Sequence, residues 1–185
     1  MGGRCGPCLS HPPIYDRARA AVVYSEHSRR FILAYKHGDR LDMVPSLVNW
    51  LSRAGSDLVR DADIIAPVPL HWTRFLMRRY NQSAELARGL GRLSGVPYQP
   101  SLLTRNKRTL SQAGLTGTAR AKNVRGAFSV SRSRWSGLAG KRVLLVDDVL
   151  TTGATVNACA GVLLWAGAVA VDVLTVARVV REEFN

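Results

Sequence analysis

Apolar positions along the chain fall into two kinds of run, unbroken ones and ones at helical spacing. Ala20–Tyr24 is a short apolar run and predicts a strand. Ser28–Lys36 carries Phe31, Ile32 and Tyr35 at helical spacing, and Leu41–Ala54 carries Leu41, Val44, Leu47, Val48 and Leu51 in the same way. Asp63–Pro69 predicts a buried strand running into a Pro-punctuated loop. Asn81–Leu93 predicts a helix with Ala84, Leu86, Ala87 and Leu90 on its apolar side, broken by Gly95-Val96-Pro97. Leu102–Thr104 and Ala127–Val130 predict short strands. Between them residues 105–126 are polar, basic and weakly periodic, which predicts a long loop. Arg142–Val146 ends in four apolar residues in a row, the pattern of a parallel strand covered on both faces. Thr155–Trp165 then predicts a helix closed by Gly167, and Val169–Val180 a last, Val-rich strand. Strands alternating with helices predict an α/β fold with a central parallel sheet flanked by helices. The opening residues are rich in Gly, Pro and Cys. They divide the chain into an irregular segment, 1–19, and one domain, 20–185.

Composition supports a folded core. Of 185 residues, 46% are hydrophobic and 21% charged, which excludes a disordered tail or low-complexity scaffold. The longest nearly uncharged stretch, about 149–171, is full of Thr, Gly, Asn and Ala and is too polar to span a bilayer. No signal-peptide pattern stands at the start. Three cysteines cannot build a disulfide framework. A cytoplasmic protein without membrane insertion is expected.

Charge changes the picture more. The net charge is +13, and it is not spread evenly. Residues 67–135 hold 13 Lys and Arg against one acid, Glu85. A solvated helix face mixes both signs, so this stretch implies an anionic partner: phosphate, nucleic acid or acidic lipid. Arg dominates Lys there, and its planar fork suits phosphate oxygens.

The chemistry is densest in Val143-Leu144-Leu145-Val146-Asp147-Asp148-Val149-Leu150-Thr151-Thr152-Gly153-Ala154-Thr155. A buried strand ends in two carboxylates, a hydroxyl- and Gly-bearing turn follows, and a helix starts. Ligands of open α/β sheets sit beyond the carboxyl ends of strands. The turn offers backbone amides, Thr hydroxyls and a helix N-terminus to a phosphate. Two acids suit sugar hydroxyls, a cation or positive charge developing on a sugar ring. No Gly-Lys-Ser/Thr follows, so this is not a Walker A loop.

This stretch resembles the phosphoribosyl-pyrophosphate (PRPP) motif of the type I phosphoribosyltransferases. The resemblance implies that fold, with a small N-terminal hood over the sheet. It gives Asp147 and Asp148 the ribose hydroxyls and the catalytic charge. It gives Thr151, Thr152, Gly153, Ala154 and Thr155 the 5′-phosphate. Pyrophosphate would fall to Arg78, Arg79, Asn81 and Gln82, just before and at a helix start, with Asn81 also able to cap that helix. A flexible loop closing over the site would carry Arg105, Lys107, Gln112 and Arg120. Mg²⁺ would arrive with PRPP.

The order of Pro67-Val-Pro-Leu, Arg79-Tyr-Asn-Gln, Leu103-Thr-Arg, Gln112, Arg120 and the Asp-Asp motif is similar to the ComF/GntX family. So is Tyr35-Lys36-His37-Gly38-Asp39. That resemblance implies Mg²⁺-dependent transfer of phosphoribosyl to a nitrogen nucleophile with release of pyrophosphate. The alternatives left open are a competence or DNA-uptake protein that binds single-stranded DNA without transferring anything, and a nucleotide- or PRPP-sensing protein without catalysis. Implied partners are PRPP or a related phosphorylated ribose, single-stranded DNA or the competence machinery, and a second copy of the chain in a homodimer. Family members begin with a four-cysteine zinc module. Here Cys5 and Cys8 supply one knuckle of it and His11 is the one nearby addition, so the segment 1–19 reads as a remnant with an incomplete zinc site, which a truncated start, a decayed module or completion by a partner would each explain.

Overall fold

Continuous apolar strands force a sheet that is covered on both faces, and the computed structural model, which describes residues 12–37, 40–70, 80–107 and 117–180, has one. Its elements are β1 (Arg17–Val23), α1 (Glu26–His37), a 3₁₀ turn (Leu41–Met43), α2 (Val44–Ala54), α3 (Ser56–Asp61), β2 (Ile64–Pro67), α4 (Gln82–Ser94), β3 (Thr104–Arg105), α5 (Gly117–Val124), β4 (Phe128–Ser129), β5 (Arg142–Leu150), α6 (Ala154–Trp165) and β6 (Ala170–Arg178). The main sheet has the order β1-β6-β5-β2, and all its neighbours are parallel. β3 and β4 pair antiparallel as a separate two-stranded ribbon.

Side chains alternate along β5 and sort the core into two layers. Val143 and Leu145 pack with Cys159, Ala160 and Leu163 of α6, and with Phe128 of β4. Leu144 and Val146 pack on the other face with Leu47, Leu51 and Val48 of α2 and Leu86, Ala87 and Leu90 of α4. Tyr35, from the end of α1, belongs to this second layer.

Several boundaries differ from the sequence expectation for identifiable reasons. β1 starts at Arg17, so Arg17–Arg19, assigned by sequence to the N-terminal segment, are sheet residues paired with Asp172–Leu174. β5 does not stop at Val146. It continues through both acids to Leu150 because β6 offers partners as far as Arg178. Ser56–Asp61 forms a helix the periodicity did not predict. The expected loop 105–126 is only partly a loop. Arg105 pairs with Phe128 in the ribbon, and Gly117–Val124 is helical. The good helix formers Ala119, Arg120, Ala121 and Lys122 favour that helix without an apolar stripe to announce it.

The sheet's two ends have opposite characters. At the end where β6 begins, the fully buried Asp172 accepts from Arg17 at 2.6 and 3.0 Å and from Arg142 at 3.1 Å. This is a closed ion-pair cluster that joins the starts of β1, β5 and β6. At the other end Asp147, Asp148 and the residues after them are only partly covered. Among the described residues no helix is long and apolar enough to cross a membrane.

Candidate functional site

The C-terminal end of β5 places Asp147 and Asp148 next to two other elements. Asp147 Oδ1 accepts from Ser83 Oγ of α4 at 2.9 Å and from the Asp148 amide at 2.9 Å. Asp148 Oδ1 accepts from the Val149 amide at 2.6 Å. Its Oδ2 lies 3.0 Å from Lys36 Nζ at the end of α1. Burial, and next the neighbouring Asp148 charge, push the Asp147 carboxyl up to about 7, against the pull of the Asp148 amide, Lys36 and Ser83. One acid is thus paired with a cation while the other holds its proton more tightly than a carboxyl in water.

The turn after the strand is built for close approach. Gly153 has φ of 76° and stands just before α6, a left-handed conformation that glycine adopts without a Cβ clash. Its carbonyl accepts from the Asn157 amide at 2.8 Å, which closes the first helical turn. Thr152 Oγ1 accepts from the Ala154 amide at 3.5 Å. Thr151 is exposed, and Thr152, Ala154 and Thr155 are partly buried, so the loop's rim is polar and accessible. The first turn of a helix leaves amides with no acceptor inside the helix, and the dipole favours an anion there. The chain before β1 crosses this loop. The Ile14 amide donates to Asn157 Oδ1 at 2.8 Å, and the Tyr15 hydroxyl lies 3.7 Å from where a Cβ on Gly153 would stand.

The start of α4 braces both acids. Asn81 caps the helix: its Oδ1 accepts from the Ser83 amide at 3.1 Å, and its Nδ2 donates to the Val68 carbonyl at 3.0 Å. Gln82 is buried, and its Nε2 donates to the Lys36 carbonyl at 3.0 Å. The Tyr35 hydroxyl donates to the Gln82 carbonyl at 2.8 Å, and burial keeps that phenol protonated far above its ordinary range. Both ends of the Asn81 amide and the donor of Gln82 are therefore engaged within the protein. These bonds tie α1, α4 and β2 together, and the sequence expectation gives the same two residues to pyrophosphate as well.

The structure brings together Asp147, Asp148 and the Thr151–Thr155 loop. Arg105 corrects its expected place. It is a buried strand residue with its guanidinium 5.3 Å from the Phe128 ring centroid, because β3 pairing draws it under the ribbon. Lys107 is exposed and donates to the Arg125 carbonyl at 3.4 Å. Arg120 lies in α5, not in a loop. Arg78, Arg79, Gln112, Cys5 and Cys8 lie outside the described residues. Ser83 and the role of Lys36 were not visible in the sequence, since each reaches its acid only through the fold. A groove of about 430 Å³ between α2 and α4, lined by Val44, Val48, Glu85 and Arg88, holds none of the site residues.

The chain is 32% identical over 179 residues to competence protein F of Haemophilus influenzae, covering 94% of this chain and 78% of the relative. It is 31% identical over 180 residues to the DNA utilization protein YhgH of Escherichia coli K12, covering 94% and 77%. Among solved structures, the allosteric regulatory enzyme of purine biosynthesis superposes with a TM-score of 0.53 at 23% identity, over 78% of this chain and 30% of that one. That likeness is one of fold: the parallel sheet with its flanking helices is the type I phosphoribosyltransferase architecture expected from the motif. No family model matches the chain.

Proposed function

The chain belongs to the competence protein F family, and from that premise we propose that it binds PRPP and transfers the phosphoribosyl group to a nitrogen nucleophile with release of pyrophosphate. The observation that carries this reading is the end of β5. Two carboxylates there are followed within a few residues by a polar loop whose Gly153 turns left-handed into the start of α6. Carboxylate oxygens accept from sugar hydroxyls, and the loop's hydroxyls and amides suit a terminal phosphate. A ligand with a phosphate at one end and a diol at its centre matches both.

In the proposed reaction the bond between ribose C1 and a pyrophosphate oxygen breaks, and its electron pair leaves with pyrophosphate. The nucleophile's nitrogen forms the new bond to C1 and loses a proton to solvent. Positive charge develops on the ring as the old bond breaks, and the charge of Asp148, joined by that of Asp147 once it ionises near pH 7, stabilises it. Arg78 and Arg79 are the residues proposed for the departing pyrophosphate. Among the described residues no group of three or more His, Cys, Asp or Glu side chains is gathered to hold a metal. Asp147 and Asp148 alone therefore fit a Mg²⁺ that travels on the ligand's phosphates and keeps its own waters. When bound, such a cation would neutralise charge on the leaving pyrophosphate.

A second reading, single-stranded DNA binding without transfer, is supported by the name of the DNA utilization relatives and by the 13 basic residues in 67–135. In it the arginines form a track for the phosphate backbone. Titration of the full chain with PRPP and Mg²⁺ by calorimetry tests the first reading. Binding is expected and is lost in Asp147→Asn/Asp148→Asn. Absence of binding at millimolar PRPP overturns it. For DNA, affinity that does not change between low and moderate salt overturns the second.

A further inference from the structure

Lys36 is the one cation that the described residues place against the acid pair. It is carried on α1, at the end of the helix, 3.0 Å from Asp148. The side chains are 25% and 17% exposed, so the pair is within reach of solvent and is not sealed in the core. Its backbone is held in place. Gln82 Nε2 holds the Lys36 carbonyl at 3.0 Å, and the fully buried Tyr35 next to it holds the Gln82 carbonyl at 2.8 Å. The ammonium therefore hangs on four flexible carbons from a fixed pivot.

A partly exposed ion pair of this kind adds little to stability, so holding α1 in place is poor reason for it. Tyr35 and Gln82 already do that. Its larger effect is electrostatic. Among the described residues the groups near Asp148 include Asp147 on the same strand, Lys36 and the Tyr35 hydroxyl on α1, and the Ser83 hydroxyl on α4 by way of Asp147. Without Lys36 the site would present the Asp148 carboxylate beside a second acid, Asp147, and no counter-charge among these groups. Such a pair repels a phosphorylated ligand and attracts free divalent cations.

We propose that Lys36 is the resident counter-ion of the Asp147–Asp148 pair, a positioning residue that acts through Asp148 to keep free divalent cations off the acids and to let an anionic sugar phosphate reach them. This rests on the binding reading above only for its second half. The sugar's hydroxyls take the Asp148 oxygen that the ammonium leaves, and the flexible stem lets the ammonium stay beside the ligand.

Two measurements on the full chain test it. The first uses Mn²⁺ alone, followed by electron paramagnetic resonance. Lys36→Met is expected to bind Mn²⁺ at least tenfold more tightly than the unaltered protein, Lys36→Met/Asp148→Asn to lose that gain, and Lys36→Arg to behave like the unaltered protein. Equal Mn²⁺ affinity of Lys36→Met and the unaltered protein overturns the proposal. So does a gain that persists in the double variant. The second titrates ribose 5-phosphate in a metal chelator by calorimetry, where Lys36→Met is expected to bind at least tenfold more weakly. Equal or tighter binding overturns the proposal as well. If the unaltered protein binds neither ribose 5-phosphate nor PRPP, the sugar-phosphate reading fails and the Mn²⁺ result alone decides the role of Lys36. Matching thermal midpoints across the variants separate these effects from a loss of folding.

Discussion

The Ser83 hydroxyl donates to Asp147 Oδ1 at 2.9 Å, which ties the first turn of α4 to the end of β5 across 64 residues of sequence. That bond and the Asp148 amide favour the ionised form of Asp147, but burial and the Asp148 charge outweigh them and raise its carboxyl to about 7. The unfolded carboxyl titrates near 4. Between about pH 4 and pH 7 the native chain thus binds more protons at this position than the unfolded chain does. Its contribution to stability falls as pH rises through that window and then levels off. Asp147→Asn keeps the Oδ1 acceptor and removes the titration. The variant should be more stable than the unaltered protein at pH 8, with the gap closing towards pH 4. Thermal midpoints of both proteins across that range check this. A gap independent of pH would mean that Asp147 titrates like an exposed acid.

Gly153 supplies the loop with a φ of 76°. A side chain there meets only ordinary contacts, 3.7 Å to Tyr15 Oη and 3.8 Å to Asn157 Nδ2, so crowding is not the obstacle. The cost lies in the left-handed backbone, about 1–2 kcal/mol for a residue with a Cβ. Gly153→Ala should lose that amount in urea unfolding and weaken ribose 5-phosphate binding, because relaxing φ redirects the amides that follow. Unchanged stability would show that the loop adopts another conformation.

How much of this was legible in the sequence differs by residue. The unbroken Val143–Val146 run identified a strand covered on both faces, and the acids and turn after it identified which end carries chemistry. These are local signals, since burial and turn formation follow from neighbouring residue types. Ser83 carries no such signal, and Lys36 stands only in a family-like pattern that gives it no role. Their meeting with the acids depends on how α1 and α4 settle over the sheet, which no spacing encodes. Arg105 read as a loop cation because charge outweighs context in a pattern. Only its pairing with Phe128 buries it. Asn81 and Gln82 have side chains that suit an anion equally well on paper, and their hydrogen bonds to Val68, Ser83 and Lys36 come from how the elements meet.

The Asp172 cluster predicts a stability effect separable from ligand binding. Asp172 is fully buried, whereas the Arg17 and Arg142 side chains are 30% and 32% exposed. Asp172→Ala leaves two cations without their shared acceptor, a loss of about 3–5 kcal/mol for a buried pair. The low end is expected here because water can reach both guanidinium groups. The cluster lies at the opposite end of the sheet from Asp147 and Asp148. Calorimetric affinity for ribose 5-phosphate should therefore stay within about a factor of two, while urea unfolding shifts. A parallel loss of affinity would mean that the two ends of the sheet are coupled.

Gln82 separates framework from ligand contact. If it serves the framework, Gln82→Ala removes the donor to the Lys36 carbonyl and opens a gap in a buried position, and should cost about 2 kcal/mol of stability. Tyr35→Phe removes only the hydroxyl that reaches the Gln82 carbonyl and should cost about 1 kcal/mol. Because both changes loosen the same joint between α1 and α4, the double variant should lose less than the two single losses added together. If Gln82 instead contacts pyrophosphate, its substitution should leave the urea midpoint in place and weaken pyrophosphate binding, and Tyr35→Phe should not alter that effect. Urea unfolding of the three variants, set beside pyrophosphate titrations of each, distinguishes these outcomes.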